Sequence, residues 1–195
     1  MDLMGVSNFI CLLLIIIILM LSFKYDKIRN FNIKDMAIIA LLMSLSIVLG
    51  SYLKIKVPLF GPETFEIKFD SVPIMLIGLR YGIFRGAMSG FLVDMIQLLL
   101  SPTPFPYFGF TLNMVLYGTI GGAFGATKIK TDFKLVAVAI ISELFVSYFL
   151  TVLWLNFMFK LPILVGVVAR LVRFVVMTIL DVIILKAAYT ILKRY

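Results

Sequence analysis

Histidine is absent from the 195 residues, and with it the commonest metal ligand and proton shuttle at neutral pH. The one cysteine, Cys11, sits in an apolar run, so no disulfide framework can form. Charge is scarce as well: 14% of positions, against roughly 25% in an ordinary soluble domain. So few charges cannot build a water-facing shell, which excludes a separate soluble catalytic or nucleotide-binding domain. Acids are outnumbered by bases, 10 to 18. The resulting net charge of +8 could point to nucleic acid, but the placement of the basic residues fits a membrane topology better.

What is present in their place is grease. Hydrophobic residues fill 63% of the chain, and seven spans of about 20 residues would use about 140 positions. The first run, Val6 to Phe23, has no positive residue before it and no small-residue cleavage pattern after it. It therefore reads as a membrane span and not as a signal peptide. Six further spans follow: 33–53, 72–81, 86–100, 112–126, 133–159 and 163–192. The expected fold is an all-α membrane protein, a six-transmembrane-helix bundle (residues 31–195) preceded by one extra N-terminal transmembrane helix (residues 1–30).

Lys and Arg concentrate on the cytoplasmic side of membrane proteins. With alternating sides, Lys24, Lys27, Arg29 and Lys34 share a side with Arg80, Arg85, Lys128, Lys130, Lys134, Lys186, Lys193 and Arg194. Lys54, Lys56, Lys68 and Lys160 fall opposite. The N-terminus is thus expected outside and the C-terminus in the cytoplasm of a plasma-membrane protein.

Arg170 and Arg173 lie inside the last span. Arg170 is about 12 Å along the helix from Pro162. A guanidinium at that depth costs at least a few kcal/mol unless it meets water or a partner. Three residues apart, the two share a helical face and could cradle a carboxylate, which guanidinium grips with two prongs; an internal salt bridge, or Arg170 reaching up to the interface, is the competing reading. Three acids also lie within spans. Asp94 could neutralise Arg173 or bind a donor on a ligand. Glu143 and Asp181, placed in the inner half, suit helix cohesion or a partner contact. The expected outer connections are elaborate. In the first, residues 64–69 alternate as TFEIKF, which suits a short strand or extended lid. The second, SPTPFPYFGF, is stiffened by prolines and carries Phe105 and Tyr107. Those aromatics could stack on a ligand ring or belong to an interfacial belt.

Gly78, Gly82, Gly86 and Gly90, with Gly118, Gly121, Gly122 and Gly125, predict close helix packing. The GAFGATK stretch lacks the G-K-[ST] ending of a phosphate loop. Ala37, Ala40 and Ser44 form a small face on the first core span that either packs internally or docks a partner.

Three stretches together resemble the substrate-binding S components of energy-coupling factor (ECF) vitamin transporters, most nearly the folate-type members. They are the ALLMS helix face at 40–44, FDSVPIMLIGLRYGIFRGAMSGFLVDMI at 69–96, and PYFGFTLNMVLYGTIGGAFG at 106–125. ARLVRF in the final helix resembles the family's basic pair. The resemblance runs over residues 33–195 and omits the first span. One departure is visible: Ser51, followed by Lys54 and Lys56, stands near where folate-type members often place an arginine.

The resemblance implies a substrate-specificity subunit that binds folate or a folate-like anionic vitamin from the outer face. Its implied partners are an energy-coupling transmembrane subunit, two ATPase subunits and the lipid bilayer, with no nucleic acid, no cofactor and no metal. It makes Ala37, Ala40 and Ser44 the docking face. Arg170 and Arg173 would hold a carboxylate, Phe65, Tyr107 and Phe108 would pack on a ring, and Asn113 would read ring heteroatoms, with Asp94 beside them. A pantothenate or other vitamin-precursor carrier is the alternative substrate reading. From other classes stand a non-transporting membrane scaffold and an intramembrane enzyme; the latter would want clustered acids or a nucleophile beside a base.

Overall fold

A computed structural model of the chain describes residues 3–26, 32–53, 55–60, 63–100, 106–159 and 163–192. In a bilayer every backbone polar group must be satisfied within the protein, which drives apolar runs into helices. The helices are α1 (Leu3–Tyr25), α2 (Ile33–Ser51), α3 (Ser71–Tyr81), α4 (Ile83–Leu100), α5 (Phe108–Gly125), α6 (Thr131–Ser142), α7 (Thr151–Phe159) and α8 (Ile163–Leu192). A π-helical segment, Glu143–Leu150, joins α6 to α7 without a break. The expected span 133–159 is therefore one continuous but irregular rod. Four stretches (Met4–Tyr25, Ile33–Ser51, Ile83–Leu100 and Thr131–Met158) are long and apolar enough to cross a membrane.

Helix α3 is different. Its 11 residues reach only about 16 Å at 1.5 Å each, half a bilayer core. It is instead walled in by protein: Ile74, Met75 and Ile77 are completely buried. Pro73 falls within the first turn, where no helix hydrogen bond is lost. Gly82, at φ +107°, ends the helix in a conformation that side chains rarely adopt, and α4 begins at the next residue.

The glycine pattern does what its spacing predicts. A Cβ on Gly78 would strike the Gly118 carbonyl, one on Gly86 the same carbonyl, and one on Gly90 the Met114 carbonyl. Helices α3, α4 and α5 thus touch backbone to backbone, where dispersion between closely apposed atoms replaces the missing hydrophobic drive. Around this trio pack the others. One core cluster joins Met75, Leu79, Val93, Val138, Val146 and Leu185. A second joins Cys11 and Ile15 of α1 to Ala87, Tyr107, Leu112, Val115 and Trp154. Apolar side chains such as Phe9, Met20, Phe149 and Val172 point outward, as lipid-facing positions should.

The expected strand at 64–69 is found as β2 (Glu63–Ile67), antiparallel to β1 (Ile55–Phe60). Val57 stands opposite Phe65 and Lys56 opposite Glu66, with a register shift between Pro58 and Phe60. Among the described residues the helical bundle therefore carries one two-stranded hairpin, between α2 and α3. Helix α5 also begins earlier than expected, at Phe108, so the connection before it is shorter than the SPTPFPYFGF stretch.

Candidate ligand-binding site

Below the hairpin end of the bundle, polar side chains from α4, α5, the π-helical segment, α7 and α8 converge. Helix α8 places Arg170 and Arg173 on one inward-leaning face. Arg173 donates to the Ser147 hydroxyl and stands 3.8 Å from the Glu143 carboxylate. Arg170 donates to the Ser147 carbonyl at 3.3 Å. That carbonyl lies in the π-helical segment, whose wider turn changes the hydrogen-bond pattern of the backbone; π segments recur at functional sites. Glu143 is 1% exposed and also accepts from the Tyr117 hydroxyl at 3.3 Å. Arg173 therefore meets Glu143, on the π-helical segment, while Asp94 accepts from the Thr111 hydroxyl at 2.6 Å. Asp181 is wholly buried, within electrostatic reach of Glu143 and Arg173.

A second network lies towards the α5 entry. The Trp154 indole donates to the Asn113 amide oxygen at 2.9 Å. The Asn113 amide nitrogen donates to the Thr151 hydroxyl at 3.1 Å, and Thr151 in turn donates to the Val146 carbonyl. An Asn side chain has two donor hydrogens and two acceptor lone pairs. These bonds use one of each and lock the amide's orientation.

Tyr107 is 3% exposed. Its ring meets Trp154 edge-on at 5.8 Å, and its hydroxyl donates to Ser7 of α1 at 3.1 Å. It forms a wall shared by α1, α5 and α7. Phe108 packs beside the same cluster, partly buried. The backbone of Phe65 lies in β2, opposite Val57; its side chain, the residue Phe105, and Lys54 lie outside the described residues.

A third polar group ties the hairpin end together. The Ser46 hydroxyl donates to the Asp70 carbonyl at 2.5 Å, and the Gln97 amide donates to the Ser46 carbonyl at 3.2 Å. Asp70 precedes α3, and burial pushes its carboxyl above the usual range, with Lys68 and Gln97 drawing it back.

The proposed docking residues stand elsewhere. Ala37, Ala40 and Ser44 are all exposed on α2, which packs on α3 and α4 with its other side. Of the two readings of this small face, internal packing is not what the structure adopts.

Ser147, Thr151 and the Glu143–Arg173 pair are what sequence reasoning missed. A signal existed: Ser142, Ser147 and Thr151 recur at four- to five-residue steps through an apolar span, and Trp154 extends the same stripe. Depth arithmetic along straight α-helices placed Glu143 in the inner half, suited to helix cohesion, without naming Arg173 as its partner. It could not foresee the π-helical segment.

The family model described as "ECF transporter, substrate-specific component" matches residues 34–192. Among curated proteins, the chain is 27% identical over 165 residues to "Folate transporter FolT" of Clostridium novyi (strain NT), covering 84% of this chain and 92% of that one. Among solved structures, it superposes with a TM-score of 0.67 and 26% identity on "FolT bound with folic acid", covering 80% of this chain and 92% of that one.

Proposed function

Because the chain belongs to the substrate-specific components of ECF transporters, we propose that it captures folate, or a folate-like anionic vitamin, at the outer face of the cell membrane. The observation that carries this is the likeness to a folate transporter over nearly its whole length, together with the likeness in fold and sequence to FolT bound with folic acid. Membership in a transporter family leaves no place for the scaffold and enzyme readings. The chain is a multi-pass membrane protein that binds and does no chemistry of its own.

In this reading the hairpin end faces outward, the C-terminus is cytoplasmic, and residues 31–195 form the binding unit. Arg170 grips a carboxylate of the glutamate tail. Arg173, held beside Glu143 and Ser147, adds positive potential beneath it. Phe108 packs against the ring, with Tyr107 as the wall that backs it and Phe65 approaching from the hairpin. Asn113, its amide oriented by Trp154 and Thr151, and Asp94 present acceptors to the amino and N–H groups of a pterin. A largely apolar site with a few placed polar groups is what small ligands generally require. The exposed small face of α2, at Ala37, Ala40 and Ser44, suits close docking of an energy-coupling transmembrane subunit. Two ATPase subunits on that partner would supply the work.

Trp154 is the only tryptophan and is bonded to Asn113, so its emission reports on the site. Titration of the purified chain with folate and pantothenate is the deciding experiment. Folate should quench Trp154 with sub-micromolar affinity. Sub-micromolar binding of pantothenate alone would transfer the assignment to that vitamin, and response to neither would overturn it.

A further inference from the structure

Helix α1 lies outside the stretch matched by the family, yet it is bonded to the core at both of its ends. Near its start, the Asn8 amide oxygen accepts the Phe108 backbone N–H at 2.7 Å, and its nitrogen donates to the Pro106 carbonyl at 3.3 Å. One residue earlier, Ser7 accepts the Tyr107 hydroxyl. At the far end, the Asp26 carboxylate accepts the Phe84 backbone N–H at 3.1 Å. It fills the space beside Gly82, where any side chain would collide with it.

The need for such help is local. Helix α5 is preceded by Tyr107, which makes no side-chain capping bond. The first turn of any helix leaves backbone N–H groups without partners, and in or near lipid each costs several kcal/mol. Asn8 acts as a remote cap. A plain anchor would need no polar group on its buried face, only grease. Here Ser7, Asn8 and Asp26 turn inward with Cys11 and Ile15, while Phe9, Met20 and Phe23 face out.

A contiguous chain of contacts runs from this cap to the site. Asn8 and Ser7 hold Pro106, Tyr107 and Phe108; Tyr107 packs on Trp154; Trp154 bonds Asn113. We propose that α1 is a positioning element. Through Asn8 and Ser7 it fixes the entry to α5 and thereby holds Asn113 and Phe108 in the arrangement that meets the ligand. The inference rests on the reading that those two residues line the vitamin site.

The test uses the full chain and four proteins: wild type, Asn8→Ala, Asn8→Asp and Asp26→Ala. Amide hydrogen exchange over residues 106–112, Trp154 emission, folate dissociation rate and thermal midpoint are read for each. Asn8→Ala should speed exchange over 106–112 and weaken folate binding about tenfold, the loss of one helix cap. Asn8→Asp keeps an acceptor for the Phe108 N–H and should recover most of both. Asp26→Ala removes a cap of similar size at the opposite end. It should lower the midpoint yet leave folate dissociation unchanged, which a merely stabilising α1 would not do.

Unaltered exchange in Asn8→Ala overturns the clamp, whether or not the ligand is folate. Faster exchange with a wild-type dissociation rate overturns the positioning role. Equal effects of Asn8→Ala and Asp26→Ala on dissociation reduce α1 to general stabilisation and overturn it too. Failure of the wild-type chain to bind folate would show separately, as failure of the vitamin reading, with the clamp then decided by exchange.

Discussion

The Arg173 guanidinium stands 3.8 Å from the Glu143 carboxylate, joining α8 to the π-helical segment thirty positions earlier in the chain. Arg173 also donates to the Ser147 hydroxyl, and Glu143 accepts from the Tyr117 hydroxyl. Charges in a low-dielectric interior are tolerated when paired and hydrogen-bonded, and breaking such a pair leaves one charge uncompensated. Removing the arginine is therefore worse than removing both partners. Arg173→Met should destabilise the protein by about 3–5 kcal/mol, whereas Arg173→Met with Glu143→Gln should recover a good part of that loss. Thermal unfolding in detergent, read as a double-mutant cycle, measures the difference; a double variant no better than Arg173→Met would refute the pairing.

Arg170 donates to a backbone carbonyl, that of Ser147, one turn of α8 from Arg173. A guanidinium carries five N–H donors in a planar fork that matches a carboxylate, and the proposed role of Arg170 is to grip the ligand's. Arg170→Ala should cut folate affinity by about 10–100-fold, the size of a charge-assisted hydrogen bond pair. Its effect on the thermal midpoint should be smaller than that of Arg173→Met. Calorimetric titration with folate gives the first number and unfolding the second.

At Gly118 any Cβ would run into the Gly86 carbonyl across the α4–α5 contact. Both neighbours are backbone, so neither can step aside without moving a helix. Gly118→Val should abolish monodisperse elution on size exclusion, while Gly5→Val, where a Cβ meets nothing within 4 Å, should elute as wild type.

Ala40 lies on the exposed small face of α2, remote in sequence from the site residues of α5 and α8. Ala40→Trp adds bulk where close approach to a partner helix is proposed. Co-purification with the proposed energy-coupling subunit should be lost and folate affinity retained. Loss of folate binding, or retention of the complex, would contradict the assignment.

Asp70 is buried, and that burial raises its carboxyl above the ordinary range. A group whose folded pKa is raised contributes stability below its unfolded pKa and loses it as pH climbs through the folded value. Asp70→Asn has no such proton to lose. The midpoint of wild type relative to Asp70→Asn should therefore fall as pH is raised from about 4 to about 8. A constant gap across that range would show that Asp70 does not titrate differently in the two states.

Particular elements show how far the chain could be read directly. The four long apolar stretches were legible because lipid imposes a length and a composition on every helix that crosses it; the expected span at 72–81 is instead the short, protein-buried α3. The glycines of α3, α4 and α5 were legible because small-residue spacing has one main use in a bilayer. The strand at 63–67 was visible in its alternation, although its partner at 55–60 was not, since IKVPLF carries a proline and no clean period. Tyr107 was open to stacking on a ligand ring or to an interfacial belt, and its ring is found against Trp154 of α7 with its hydroxyl on Ser7 of α1. Nothing in PYFGF distinguishes a ring facing a ligand from one facing a neighbouring helix.

Composition, apolar run length and the placement of arginine by themselves determined that this is a membrane bundle with two deep cations, because those properties follow from the solvent that each residue must meet. Which acid answers which arginine, what orients Asn113 and why α1 is there were decided only by tertiary structure. Those relations depend on one π-helical segment and on which neighbours long-range packing brings within three or four ångströms, and separation along the chain carries no record of either.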